Sequence, residues 1–522
     1  MSRREISVSP WWTLAVLCLS LVMVVLGNTV LNVALPTLVR ELGATSTQLQ
    51  WMVDSYALVF AGLLLTAGAL GDRFGRKGAL IVGLVIFGGA SLASTMATSA
   101  NHIIATRAVM GLGAALVMPA TLSILATVFP PDQRARAIAI WAGFAGAGAA
   151  IGPIAGGWLL EHFFWGSVFW LNVPVVIVAL VAGRWLVPTS RDPREAALDL
   201  VGAGLSILGL GALLYGIIEA PTYGWTDPLV LGAFAAAVVF LVGFAIWEFR
   251  GDHPMLDLSF FKDSRFSAAS LAIMLVFFAM FGTFFLLTQY LQIVRDYSPL
   301  EAGVRTFPMA LTMMVVAPVS ARVVERLGPA RVVSFGLTAV AIGLALASTM
   351  GVDTPYVWLA AVLVVMAVGM SLTMAPSTAS IMSSLPLGKA GVGSAWNDTT
   401  RELGGALGVA VLGSLAASQY SSSLAGSLGS LPDGIATAAE ASVGSAVQVS
   451  NGLSAEIGNG LASAARVAFV DAMGVALLVA AGVALVAAFV VRRYLPDHAE
   501  VDRRPPQVVV DGAKEVAEST VA

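Results

Sequence analysis

GALGDRFGRKGAL, residues 68–80, stands between two long uncharged runs. Ser55–Gly71 before it and Gly78–Thr106 after it overlap its ends and carry no Asp, Glu, Lys or Arg. An apolar run of about 18 or more residues is long enough to span a bilayer. A compact Gly/Asp/Arg cluster between two such runs is therefore a tight turn at a membrane surface. Composition agrees: 58% of the 522 residues are hydrophobic and 11% are charged, against roughly 25% charged in a soluble domain. Backbone groups in lipid must bond internally, which leaves helices or a closed barrel. Barrel strands alternate polar and apolar over short segments, whereas these runs are continuous, so an all-α integral membrane fold is expected.

Fourteen spans are expected, at 11–36, 48–70, 79–98, 102–127, 137–160, 165–187, 199–219, 228–248, 266–292, 303–322, 332–350, 355–384, 395–418 and 468–491. The first run leads into NVALP rather than a small-residue cleavage site, so it reads as a span and not a signal peptide. With the N-terminus inside, inner segments hold eighteen Lys and Arg, from Arg3 to Arg493, and outer segments hold Arg40, Arg295 and Arg466. That asymmetry places both termini in the cytoplasm. Residues 419–467, rich in Ser, Ala and Gly, read as one long outer loop, and the polar tail at 495–522 as disordered.

The function classes thin quickly. Cys18 is the single cysteine, so no intrachain disulfide exists, and His102, His162, His253 and His498 lack metal-ligand spacing. Neither a nucleophile–base set nor a phosphate loop is evident, so no enzyme, no metal and no nucleic-acid partner is expected. An internal repeat is visible instead. Asp72-Arg73-Phe74-Gly75-Arg76 has a worn counterpart in Glu325-Arg326-Leu327-Gly328, followed by Arg331. Each copy follows the second helix of a six-helix unit if the units are residues 1–187 and 266–494, with 188–265 an inserted helix pair. Parallel repeats of this kind place a substrate site between halves at the midplane.

Several motifs carry mechanism. Gly68 and Gly71 remove side chains where helices touch, while Asp72, Arg73, Gly75 and Arg76 form the turn itself. Arg107 stands inside an otherwise uncharged span, where a charge costs ~2.5–3.5 kcal/mol on insertion scales. Asp54, in WMVDSY, lies at similar depth on another descending helix, so the two are expected to pair. Gly148, Gly152, Pro153, Gly156 and Gly157 give a groove for close helix approach and a bend. Asn28 and Asn32 share a helix face and suit either substrate or helix–helix hydrogen bonds. Asp398, Arg401 and Glu402 sit at i, i+3 and i+4, which fits capping or an inner gate. Tyr56, Phe281 and Gln289 complete a candidate substrate lining, and Phe277, Phe278, Phe284 and Phe285 suit either stacking or lipid contact.

The 68–77 turn, Arg107 with Gly111 and Gly113, the Gly-x-x-x-Gly-Pro-x-x-Gly-Gly string and LGNTVLNVALP at 26–36 together resemble the fourteen-helix drug:proton antiporters of the major facilitator superfamily. The resemblance implies two six-helix halves plus an inserted pair. It also implies export of small amphipathic drugs or antibiotics across the cell membrane in exchange for protons. Asp72 and Arg73 then become latch residues, against the plainer reading as a positive-inside anchor. Arg107 becomes a coupling residue, against an Arg reaching for the interface. The proton is the only coupling ion implied; no other cofactor is, and a monomer is expected. One departure stands out: the family's helix 1 acid is Gly27 here. If coupling is displaced onto Asp54, Gly27→Asp should raise proton-coupled efflux; if Gly27 only makes room, it should not. The departure also keeps open a transport-impaired receptor or scaffold, beside export of an endogenous lipid or secondary metabolite.

Overall fold

The computed structural model describes residues 9–191, 199–251, 257–385, 390–429 and 431–496. The described residues form helices and no strand, and fourteen helices are long and apolar enough to cross a membrane. They are α1 Pro10–Leu42, α2 Ser46–Phe74, α3 Arg76–Thr95, α4 Ala100–Val128, α5 Pro131–His162, α6 Ser167–Leu186 and α7 Leu200–Tyr223. The rest are α8 Pro228–Arg250, α9 Ser264–Val294, α10 Pro299–Leu327, α11 Pro329–Ala347, α12 Tyr356–Ser383, α13 Ala390–Leu424 and α14 Ala455–Tyr494. The protein is a multi-pass membrane protein of two six-helix halves, α1–α6 and α9–α14, with α7 and α8 inserted between them.

Local chemistry sets the helix ends. Thr45 and Gln48 close a capping box at the start of α2, and Ser298 with Glu301 closes another at the start of α10. Asp199 and Asp227 accept first-turn amides of α7 and α8. Gly75, at φ +120°, ends α2 and begins α3; Gly328, at φ +81°, does the same between α10 and α11. Only glycine takes such angles without strain. The worn sequence repeat is thus matched by a repeated turn.

Packing repeats as well. The third and fourth helices of the first half cross at Gly83 and Gly113, where a Cβ on either residue would lie 2.8 Å from the other's carbonyl oxygen. In the second half α11 and α12 cross at Gly336 and Gly369 in the same reciprocal way. The fourth helix of each half carries a proline beyond that crossing, Pro119 in α4 and Pro376 in α12. The first and fifth helices also pair through glycine: Gly148, Gly152 and Gly156 of α5 lie on Val25, Thr29 and Val30 of α1, and Gly404 and Gly408 of α13 lie on the backbone of Met274 and Phe278 in α9. The inserted α7 packs along both α2 and α13, whereas α8 is mostly exposed beyond α7.

One sequence expectation is corrected. Residues 419–467 are not an extended outer loop. Helix α13 continues to Leu424, short helices follow at Asp433–Ala441 and Val443–Ser450, and α14 begins at Ala455 rather than near 468. Alanine favours helix, and Ala439, Val443 and Ala446 find a buried face to pack on. Tyr420 Oη donates to Ala439 O at 3.0 Å, and Gly444 rests on Val39 of α1. The tenth span is also longer than expected, 299–327, and is interrupted at Thr306. Arg3, Arg4, Arg194, His253, Lys389, His498 and the tail beyond 496 lie outside the described residues.

The glycine crossings predict a contrast. In Gly408→Ala the new methyl meets the Phe278 backbone, which cannot retreat, and overpacking of this kind costs about 1–3 kcal/mol. Gly482→Ala, where nothing lies within 4 Å, should leave stability unchanged. Thermal unfolding of the two variants in detergent separates them.

Candidate substrate and coupling site

Arg107 enters from α4 and is fully buried. Its guanidinium donates to Met52 O at 3.0 Å, to Gly27 O at 2.9 Å and, at the long limit of 3.5 Å, to Asn28 Oδ1. It also stands 4.2 Å from the centre of the Tyr56 ring. The planar fork of arginine suits this three-way clasp between α1, α2 and α4, with the ring face as a further cation partner. Asp54 is not part of it. No ion pair joins Asp54 to Arg107 among the described residues, and both Asp54 carboxyl oxygens are buried without a hydrogen-bond partner. The expected pair fails because matched depth is not matched direction. Tyr56 lies on the face of α2 that reaches Arg107, whereas Asp54 shares its face with Gln50 and Ala57.

Position 27 explains part of the clasp. Its carbonyl takes the guanidinium nitrogen that a carboxylate would otherwise satisfy. A Cβ at Gly27 would meet Phe87 Cζ at 2.7 Å and Met110 Cε at 3.5 Å, so the side-chain direction here runs into α3 and α4. The glycine is a close-packing residue, and restoring an acid by one substitution is not a simple gain.

The second half supplies the opposing wall. On α13, Arg401 and Asp398 form a 3.5 Å ion pair, and Arg401 lies within 3.4 Å of Thr378 Oγ1, which itself bonds Asn397. The Arg401 guanidinium is 5.5 Å from the Phe277 ring, and Phe277 stacks on Phe281. Asp398 and Arg401 stay 16% and 30% exposed, so they face open space rather than a dry core. Glu402, one residue on, is half-buried and acts electrostatically on both Arg107 and Tyr56 of the first half. Glu402, on the second half, is therefore an acid within electrostatic reach of Arg107. That relation was missed in the sequence because 295 positions separate the two (402 − 107) and nothing local marks them. The remaining lining residues divide. Asn28 and Asn32 are almost fully buried, with Asn32 Oδ1 unpaired. Gln289 turns back to its own helix at Phe285 O, while Gln292 reaches Val33 O of α1 at 2.8 Å.

The halves touch at one end and part at the other. At the end opposite the termini, Gln50 accepts from Ser414 Oγ at 3.1 Å, Gln292 holds Val33, and Gly157 of α5 lies on Pro299 and Leu300 of α10. Gly303 of α10 abuts Pro153 O in return. Gly148, Gly152 and Gly156 thus serve α1, while Gly157 and Pro153 serve the other half. Toward the end carrying the termini, Gly143 and Gly146 of α5 have nothing within 4 Å and Phe144 is 49% exposed. The 68–77 turn sits at this parted end. Arg76 Nε pairs with Asp72 at 2.7 Å, the Arg76 amide bonds Ser190 O, and Lys77 bonds Arg184 O, all within the first half or at its edge. Gly68 lies against Pro119 and Gly71 against Ala79. Arg73 stands over Phe74, which is 70% exposed.

The Major Facilitator Superfamily profile matches residues 17–409. The chain belongs to the major facilitator superfamily. It is a membrane transporter and not an enzyme. It is 37% identical over 411 residues to the tetracenomycin C resistance and export protein of Streptomyces glaucescens, covering 78% of this chain and 76% of that one. To the multidrug efflux pump LfrA of Mycolicibacterium smegmatis it is 36% identical, over 83% of this chain and 86% of that one. A bacterial homolog of the human lysosomal transporter Spinster, solved in an inward-facing and occupied conformation, shares the fold. Its TM-score is 0.65 and its identity 17%, with 93% of this chain and 97% of that chain covered.

For this superfamily member, Gly27→Asp should not raise transport. The added atoms must displace Phe87, with a stability loss of about 1–3 kcal/mol, and Phe87→Ala in the same chain should recover most of it. Thermal unfolding and vesicle uptake on the single and double variants check both statements.

Proposed function

We propose that the protein exports small amphipathic drugs or antibiotics across the cell membrane in exchange for protons, by alternating access of a site between its halves. The observation that carries the reading is the set of polar and charged groups on facing halves, Arg107 with Tyr56 on one and Glu402 with Asp398 and Arg401 on the other. Its Phe277 and Phe281 wall suits an amphipathic ligand. Relatives that are themselves resistance, export or efflux proteins support the same class of cargo.

With both termini cytoplasmic, as the Lys and Arg distribution argues, the parted end faces the cytoplasm and admits substrate from inside. Glu402 is the exchange group. As a carboxylate it attracts Arg107 across the gap; protonated, it loses that attraction and the halves separate more easily at this depth. Substrate entering beside Phe277 and Phe281 competes for the same space and favours release of the proton inward. Asp398 and Arg401 hold Glu402's helix face polar, and Asn28 and Asn32 supply amides to the cargo. The Asp72–Arg76 turn docks against the second half when the cytoplasmic end shuts. No cofactor beyond the proton is needed, and one chain suffices.

The test uses inverted vesicles loaded with purified protein and an acid-inside gradient. Wild-type protein should accumulate ethidium or a tetracycline when the gradient is imposed, and lose it when the gradient is collapsed. Glu402→Gln should cut gradient-driven uptake at least tenfold, while gradient-free exchange of labelled for unlabelled substrate persists. Uptake by the wild type that ignores the gradient, or full gradient-driven uptake by Glu402→Gln, would overturn the proposal.

A further inference from the structure

The first helix of each half is irregular near the end opposite the termini. In α1 the irregularity is Pro36, which withholds the amide that Asn32 O would accept in an unbroken helix. In α9 it is a π-helical turn at Tyr290–Val294, one residue wider than an α-turn. Its backbone pairing is widened accordingly: the Arg295 amide bonds Tyr290 O at 2.9 Å, and the Tyr297 amide reaches Leu291 O at 3.0 Å. Ile293 O, which the Tyr297 amide would serve in an α-helix, is taken instead by Arg466 Nε of α14 at 3.1 Å. Just past the turn Asp296 adopts φ +56°, a left-handed backbone that costs an aspartate and not a glycine.

The two irregular places meet through one side chain. Gln292, in the middle of the turn and 2% exposed, donates from Nε2 to Val33 O of α1 at 2.8 Å. Its Oε1 is buried without a hydrogen-bond partner among the described residues. Other ties of the turn stay in the second half. Tyr290 Oη donates to Gly351 O at 2.9 Å and Arg295 Nη1 to Val352 O, both on the α11–α12 connection. Several anchors thus hold the turn from behind, and Gln292 is its reach toward the first half. The net hold of that reach is modest, since the buried Oε1 regains water when the halves part.

We infer that this π-turn is the switch of the end opposite the termini, with Gln292 as its positioning residue. The turn presents Gln292 to α1 while that end is shut; its return to α pairing withdraws Gln292 and lets the end open. The switch rests on the alternating access proposed above, and not on the cargo or the coupling ion. At 3.6 residues per turn, one residue is worth about 100° of rotation, so losing the extra residue swings Gln292 away from Val33. The same change gives the Tyr297 amide back to Ile293 O, releases Arg466 and returns Asp296 to negative φ. The shut state therefore carries a strained Asp296 and a buried unpaired oxygen, and Gln292 and Arg466 hold it in place. Opening relieves the first two and gives up the last two.

Asp296 gives the cleanest test because its side chain is exposed and lies beyond the turn itself. Valine and glycine both remove its charge, yet valine resists positive φ and glycine accepts it. Spin labels go at Thr98→Cys and Thr349→Cys, exposed on the equivalent α3–α4 and α11–α12 connections of the two halves, in a Cys18→Ser background. Pulsed electron paramagnetic resonance in lipid nanodiscs then gives the ratio of long to short distances. Asp296→Val should raise that ratio about threefold or more over the labelled parent, and Asp296→Gly should lower it. Arg466→Met, whose lost bond lies within the second half, should also raise it. Adding Asp296→Gly to Arg466→Met should bring it back down. In Gln292→Leu the ratio should rise and no longer answer to either Asp296 variant, because the turn has lost its hold on α1. Equal ratios in Asp296→Val and Asp296→Gly overturn the inference, as does an Asp296 effect that persists in Gln292→Leu. If Gln292→Leu does not assemble, the opposed Asp296 variants still decide. Loss of drug export with these shifts intact would sink the proposed function alone, and intact export with equal ratios would sink the switch alone.

Discussion

Lipid tails are as apolar as leucine, so helices in a bilayer gain little by hiding apolar surface and associate through close van der Waals contact. Here that contact is made at glycine. The crossings Gly83–Gly113 and Gly336–Gly369 fix the third and fourth helices of each half, and the α5 and α13 glycines bring the fifth helix onto the first. The site depends on these distances. Because α1 lies tightly on α5 and α4, the carbonyl of Gly27 comes within 2.9 Å of Arg107. Because α9 lies tightly on α13, Phe277 stands under Arg401. A methyl at several of these positions would overlap backbone, which rotamer change cannot relieve.

Within that frame the buried cation is managed without a bonded anion. Arg107 uses two carbonyls, an amide oxygen and a ring face, each a partial charge. A direct bridge between halves would tie them together.

Much of the fold was legible. Continuous uncharged runs gave fourteen spans because lipid forbids unpaired backbone, and the Asp72 and Glu325 turns marked the repeat because positive-φ glycines are required there. The 419–467 segment was misread as loop: its Ser, Ala and Gly content is as compatible with amphipathic helix, and only packing against Val39 and the end of α9 decides. Side-chain direction was the harder quantity. Depth along a helix can be counted, but Asp54 and Tyr56, two residues apart, face different neighbours. Gly27 was recognised as a missing acid, yet Phe87, which occupies its side-chain space, is 60 residues away (87 − 27) on another helix. Glu402 was grouped with Asp398 and Arg401 for capping or an inner gate, and nothing local in the sequence marks its electrostatic reach toward Arg107 on the opposite half.

The inserted pair acquires a physical reason from the line along which α2 meets α13. Twelve helices would suffice for two halves and leave the α2–α13 line open to lipid. A carboxyl on that line would then adjoin hydrocarbon. Helix α7 changes this. It is hydrogen-bonded to α2 through Glu219 and Thr222 and meets α13 through small residues, Ala406 and Ala410. Helix α7 thus covers the α2–α13 seam in which Asp54 is buried, and two of its polar side chains fasten that cover to the first half.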